Sequence, residues 1–212
     1  MSAQLLCGAP ASSRRTEGRL VFSAPDPPLS DGVVTLRLPE GRDFAAIERG
    51  IADPDVIHSF GHSTLTAEQL LELNRRRWDE GVGATFAICD AANDCVGHVF
   101  VNLADALRGS IGYWLLPEAR GKGLATRAVR LLSRWALRDL ALARLGLSAE
   151  PWNFRSQRVA ERAGFRREGI LRSYGEIDGR RAHLRGADCP RPEWRGPHPD
   201  DAYANALHGA RV

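Results

Sequence analysis

The chain has 212 residues, 43% of them apolar, and a formal net charge of +3. That length fills one core well but not two, and the small charge, spread over scattered arginines, argues against a nucleic-acid partner. No apolar run reaches the roughly 18 residues that a membrane span needs.

Residues 1–30 are rich in Ala, Ser and Pro, show no period and read as an extended tail. Residues 32–38 alternate well enough for a first strand, and two short helices follow over residues 43–52 and 66–79. The run Arg75-Arg76-Arg77 ends the second of these and reads as a solvated face near a helix C-terminus. Paired strands are expected over 84–90 and 95–103, with a turn at Asn93-Asp94, and a further strand over 110–116. The next helix begins near Lys122, with Leu124, Ala128, Leu131, Leu132, Trp135 and Leu140 recurring on one face. That face should pack on the sheet, so Trp135 belongs to the core. A strand over 143–148 and a helix ending at Gly164-Phe165 come next. The run 168–177 then reads as a strand and Asp178-Gly179 as a hairpin turn. Residues 180–186 make a poor partner strand, and the Pro-rich residues 189–212 read as a second tail.

The four cysteines, Cys7, Cys89, Cys95 and Cys189, show no C-x-x-C spacing and no histidine pattern for zinc. Without a signal peptide they read as reduced thiols of a cytoplasmic protein. His58 and His62 are four apart but are expected in a loop, so no metal is expected there.

The most informative stretch is Arg120-Gly121-Lys122-Gly123-Leu124-Ala125, placed between a strand and a long helix and holding the chain's only lysine. Two glycines at such a turn let backbone approach a ligand without a Cβ in the way. The following helix offers unpaired N–H groups and the positive end of its dipole to phosphate oxygens. A P-loop spacing is absent. A dinucleotide fingerprint starting at Gly121 fails at Thr126.

The segment matches R-x-x-G-x-A after the strand residues Gly112-Tyr113-Trp114-Leu115, and so resembles the acyl-CoA loop of the GNAT superfamily of N-acetyltransferases. Further on, Asn153-Phe154-Arg155-Ser156 and the Gly164-Phe165 helix end resemble one branch, the ribosomal-protein N-acetyltransferase-like enzymes. Ile51-Ala52-Asp53-Pro54-Asp55-Val56 and Thr66-Ala67-Glu68 look like that branch's acceptor-side helices. The resemblance covers about residues 32–180. It implies a single α/β domain over residues 31–188, with a mixed, mostly antiparallel central sheet flanked by helices. A splayed strand pair in that sheet would bind acyl-CoA. The fold normally closes with a last strand, which makes 180–186 a departure from the pattern. A homodimer is compatible with the resemblance, although nothing in the residues predicts an interface.

Acetyl transfer to an amine needs a bound thioester, a neutral amine, a donor to the developing oxyanion and a proton for the leaving thiolate. The resemblance assigns acetyl-CoA binding to Leu115, Leu116, Arg120, Gly121, Lys122, Gly123, Leu124, Ala125 and Asn153, with Arg120 and Lys122 adding charge at the edge. Ser156 would donate to the thiolate and Asn153 would bond the pantetheine arm. The same pair also reads as the N-cap and first turn of a helix. For a general base, Glu150 and Glu118 are candidates, beside a water relay; Tyr113 and Tyr174 are other proton-handling groups. Trp114 reads either as an acceptor-pocket wall or as packing. The acceptor is expected to be a protein N-terminal α-amine. A small amine such as an aminoglycoside or polyamine, or a non-catalytic acyl-CoA-binding role, stays open.

Overall fold

The computed structural model describes residues 13–16, 19–177 and 179–190. In chain order, β1 (Ser13–Thr16) and β2 (Arg19–Phe22) pair as an antiparallel hairpin. They are followed by β3 (Leu29–Ser30) and β4 (Thr35–Arg37). Three helices come next: α1 (Phe44–Ile51), α2 (Pro54–Phe60) and α3 (Ala67–Asp79). The central strands are β5 (Gly83–Cys89), β6 (Cys95–Leu103) and β7 (Arg108–Leu115). Helix α4 (Leu124–Arg138), β8 (Arg144–Ala149) and α5 (Phe154–Ala163) follow. The long strands β9 (Arg166–Ile177) and β10 (Arg180–Pro190) come last.

Eight of the described strands form one sheet in the order β3-β4-β5-β6-β7-β8-β10-β9. Only the β7–β8 contact is parallel; the other neighbours are antiparallel. The mixed, mostly antiparallel α/β sheet is therefore present.

Side chains alternate across the pleat, so the sheet has two differently covered faces. Phe86, Ile88, Val99, Val101 and Ile111 are buried in the core that contains Ala128, Leu131, Leu132 and Trp135 of α4. Each large apolar side chain so buried contributes about 1.5–3 kcal/mol. Trp135 lies parallel to Trp78 of α3 at 6.0 Å and meets Phe86 edge-on at 5.2 Å. On the opposite face, Phe100 meets Phe60 of α2 and His98 meets Trp114. Under this face the Arg37 guanidinium grips the buried Asp43 carboxylate through bonds of 2.7 and 2.8 Å. The thiols Cys89, Cys95 and Cys189 are free, and burial pushes Cys89 up to about 11 and Cys95 up to about 12.

Three sequence expectations change. Within the expected N-terminal tail, Ser13–Thr16 pairs with Arg19–Phe22, and Phe22 meets Trp78 edge-on at 5.3 Å. One anchor on two four-residue strands leaves no period to read. Helix α2 occupies what was read as a loop around His58. Pro54 sits in its first turn, where a missing N–H costs nothing, and Asp53 caps it by accepting from the N–H groups of Asp55 and Val56.

The third change is at the end of the fold. Residues 180–186 belong to a full strand, β10, which lies between β8 and β9. Its backbone is paired on both edges, from Arg185↔Ala149 to Pro190↔Arg144 with β8 and along β9. Arg144 of β8 ties the three strands by pairing with Asp188 at 3.4 Å and with Glu168 of β9. Of the C-terminal tail expected from residue 189, Cys189 and Pro190 belong to β10, and residues 191–212 lie outside the described residues.

Candidate active site

Strands β7 and β8 pair from Arg108↔Arg144 to Ile111↔Leu147 and no further. Past that point β7 runs on to Leu115 and β8 to Ala149, so their facing backbone groups open into a gap. A cleft of about 960 Å³ occupies it, lined by Gly112–Leu115 of β7, residues 147–150, and parts of α2, α5 and the loop before α4. The break in pairing is the geometric source of the site.

At one end stands the glycine loop. A 3₁₀ turn, Pro117–Ala119, delivers the chain to Arg120, after which Gly121 and Gly123 take φ of +76° and +78°. Side-chain residues are strained there, and a Cβ on either glycine would meet no heavy atom within 4 Å. The loop is thus open space bounded by backbone. Gly123 caps α4 without a side-chain bond, and no acidic residue stands in the helix's first turn. The first N–H groups of a helix lack intrahelical acceptors, so those of Leu124, Ala125 and Thr126 are donors at the cleft wall. This donor set fits a pyrophosphate.

The expected loop ligands divide. Arg120, Gly121, Gly123, Leu124, Ala125 and Leu115 line the cleft. Lys122 is exposed and lies off the lining. Leu116 is buried away from it, with its N–H donating to the Val96 carbonyl at 2.9 Å. The Arg120 guanidinium binds Asp53 and Asp55, each at 2.6 Å, so its charge is shared with two carboxylates of the α2 start.

Midway along the cleft, the Asn153 side chain caps α5, its Oδ1 accepting from the Ser156 N–H at 3.0 Å. That cap uses only the oxygen and leaves the amide NH₂ as a donor. The Ser156 hydroxyl accepts from the Tyr113 phenol at 3.2 Å. Burial raises the Tyr113 phenol above its ordinary value, and the Ser156 bond acts in the opposite sense. The pair spans 43 residues of sequence, so local spacing could not reveal it.

At the far end from the loop, Glu150 follows directly on β8 and is only 5% exposed. Its Oε2 lies 2.9 Å from His58 Nε2 of α2. The backbone that carries Glu150 is pinned by Gln157 Nε2, which donates to the carbonyls of Glu150 and Pro151. Trp114 is both exposed to the cleft and packed. It lines the cleft and wedges against α1, where a Cβ on Gly50 would fall 2.4 Å from its ring. Glu118 lies outside the lining and pairs with Arg49 at 2.6 Å, and Tyr174 is exposed and also off the cleft. Among the described residues no cluster of His, Cys, Asp or Glu could hold a metal, and no helix is long and apolar enough to cross a membrane.

Residues 34–166 match the family model described as an acetyltransferase (GNAT) domain. The chain belongs to that family. It is 40% identical over 100 residues to "Probable N-acetyltransferase YjcK" of Bacillus subtilis (strain 168), covering 44% of this chain and 54% of the relative. It is 36% identical over 89 residues to "Putative ribosomal N-acetyltransferase YdaF" of the same organism, covering 42% and 49%. The matches therefore span about half the length of these two relatives. Among solved structures, Mycobacterium smegmatis RimJ in complex with CoA-disulfide has a TM-score of 0.67 at 25% identity, covering 84% of this chain and 90% of that one. These likenesses agree with the ribosomal-protein N-acetyltransferase-like branch of the GNAT fold.

Proposed function

We propose that this chain transfers an acetyl group from acetyl-CoA to a primary amine, with a protein N-terminal α-amine as the acceptor. The observation that carries the reading is the gap between β7 and β8, which joins the uncapped N-terminus of α4 to the Glu150–His58 pair. Acetyl-CoA supplies an activated thioester when bound. The loop's N–H groups would hold its pyrophosphate, and the unpaired edge of Gly112–Leu115 would hold the pantetheine amides and polarise the carbonyl. Fixing the two reactants in one cleft removes the translational freedom of a bimolecular step.

The Tyr113–Ser156 pair then serves the leaving thiolate: Ser156 gives its hydroxyl proton to the thiolate and takes one from Tyr113. Tyr113 is reprotonated from water in the cleft, into which Glu150 later releases the proton it took from the amine. On the acceptor side, Glu150 takes the proton that the amine loses. An α-amine, with an ordinary pKa near 8, needs little help to become neutral. Among the described residues three carboxylates line the cleft, Asp55, Glu150 and Glu176, and the first two are engaged by Arg120 and His58. A polycation would call for a denser acidic wall, which favours a singly charged amine.

Thiol release from acetyl-CoA tests this with three acceptors: a peptide with a free N-terminus, the same peptide Nα-acetylated but bearing lysine, and spermidine. Turnover confined to the free peptide supports the reading. Turnover confined to spermidine replaces it with small-amine transfer, and absence of any thermal shift with acetyl-CoA or CoA sinks both.

A further inference from the structure

The Arg120 guanidinium makes three directed bonds. Nε donates to the carbonyl of Leu115 at 3.0 Å, Nη1 to Asp55 Oδ2 and Nη2 to Asp53 Oδ1, each at 2.6 Å. These partners lie on different elements: Leu115 ends β7, whereas Asp53 caps α2 and Asp55 stands in its first turn. Asp53 is 8% exposed and Arg120 27%, so the contact is shielded and charge-assisted. Two carboxylates around one guanidinium leave the trio net negative, a poor edge for a phosphate site. The other end of α2 is held as well, by His58 against Glu150 and by Phe60 against Phe100 at 5.8 Å.

We propose that Arg120 is a positioning residue that clamps α2 to the glycine loop, so that order in the loop sets the acceptor side of the cleft. The inference rests on the acetyl-transfer reading above. Arg120 then governs the placement of His58 and Phe60 and leaves cofactor affinity to the backbone donors. The Asp53 carboxylate has two duties, capping and clamping. Asp53→Asn separates them, because Asn caps a helix as well as Asp does but lacks the charge.

Hydrogen–deuterium exchange of the full chain, with and without CoA, tests the clamp. In the wild type, CoA should slow exchange in residues 54–60 as well as in the loop. Arg120→Gln should speed exchange of 54–60 by about tenfold while β5, the internal control, is unchanged. The CoA dissociation constant should move less than about threefold, since the loop donors are backbone. Asp53→Asn and Asp55→Asn should reproduce the α2 effect, and the latter, on an exposed carboxylate, serves if Arg120→Gln does not fold. Loss of CoA affinity by about tenfold or more in Arg120→Gln alone would make Arg120 a phosphate ligand and overturn the clamp. Unchanged α2 exchange in all three variants would overturn it too. A wild type that does not bind CoA overturns the acetyl-transfer reading instead, and the ligand-free exchange rates still decide the clamp.

Discussion

The two ends of the cleft are built from different materials. The loop end is backbone: two glycines at positive φ and the first turn of α4, contributed by neighbouring residues. The acceptor end is side chain. Arg120 reaches Asp53 across 67 residues, and His58 reaches Glu150 across a longer span still. A site made of main-chain donors depends on conformation and tolerates changes of side chain, provided the glycines stay. A site made of distant ion pairs depends on each partner and can be retuned one residue at a time. That asymmetry suits a family whose cofactor is fixed and whose acceptors vary.

The largest effect should separate chemistry from binding. Ser156→Ala should lower kcat by about 10²–10³-fold and leave acetyl-CoA affinity within about threefold, read from steady-state kinetics and calorimetric titration. Tyr113→Phe should follow it in direction with a smaller loss, because Ser156 keeps its own hydroxyl. Gly123→Val addresses the backbone end and should do the reverse. A branched residue at φ +78° is strained by roughly 1–2 kcal/mol, so affinity should fall about tenfold or more. Equal losses in kcat and affinity for both variants would erase the distinction.

The face beneath the acceptor end should also be the acid-sensitive one. His98 is buried there against Trp114, and burial lowers its pKa from 6.5 to about 4, with Asp43 pulling it up and Arg37 pushing it down. Between those values the unfolded chain binds a proton that the folded chain does not, so stability falls as pH drops. The contribution is complete above pH 6.5 and lost by about pH 4, on the order of 3 kcal/mol. Urea denaturation of wild type against His98→Gln should show that slope in the wild type only. The smallest effect is expected at Arg49–Glu118, which also links an acceptor-side helix to the loop but is more than half exposed at both partners. Arg49→Gln should change acetyl-CoA affinity by less than about twofold and, in contrast to Arg120→Gln, should also leave α2 exchange within about twofold.

What could be read in the sequence follows the same division. Helix α4 announces itself through Leu124, Ala128, Leu131, Leu132 and Trp135, and the phosphate loop through its two glycines, because both are written in consecutive residues. The Tyr113–Ser156 bond and the Arg120 contacts were illegible, since each joins segments whose proximity exists only after the sheet has formed. Arg120 shows the difficulty well: its place in R-x-x-G-x-A suggested a phosphate contact, and only the position of α2 turned it toward Asp53 and Asp55. Strand β10 was misjudged because its place is set by backbone pairing with β8 on one edge and β9 on the other, which no pattern within 180–186 displays.

The order β8-β10-β9 also bears on how the chain is made. When β9 leaves the ribosome, the edge of β8 has no partner, since the strand that joins them is synthesised after both. The loop, α4 and the β5–β8 sheet can form while translation continues, but the sheet stays open on that side until residues 185–190 emerge. Strand pairing between segments so far apart is slow and aggregation-exposed. Assembly therefore finishes at the wall that carries Glu176 and Leu184, so the nascent chain can hold a cofactor loop before it has an acceptor pocket.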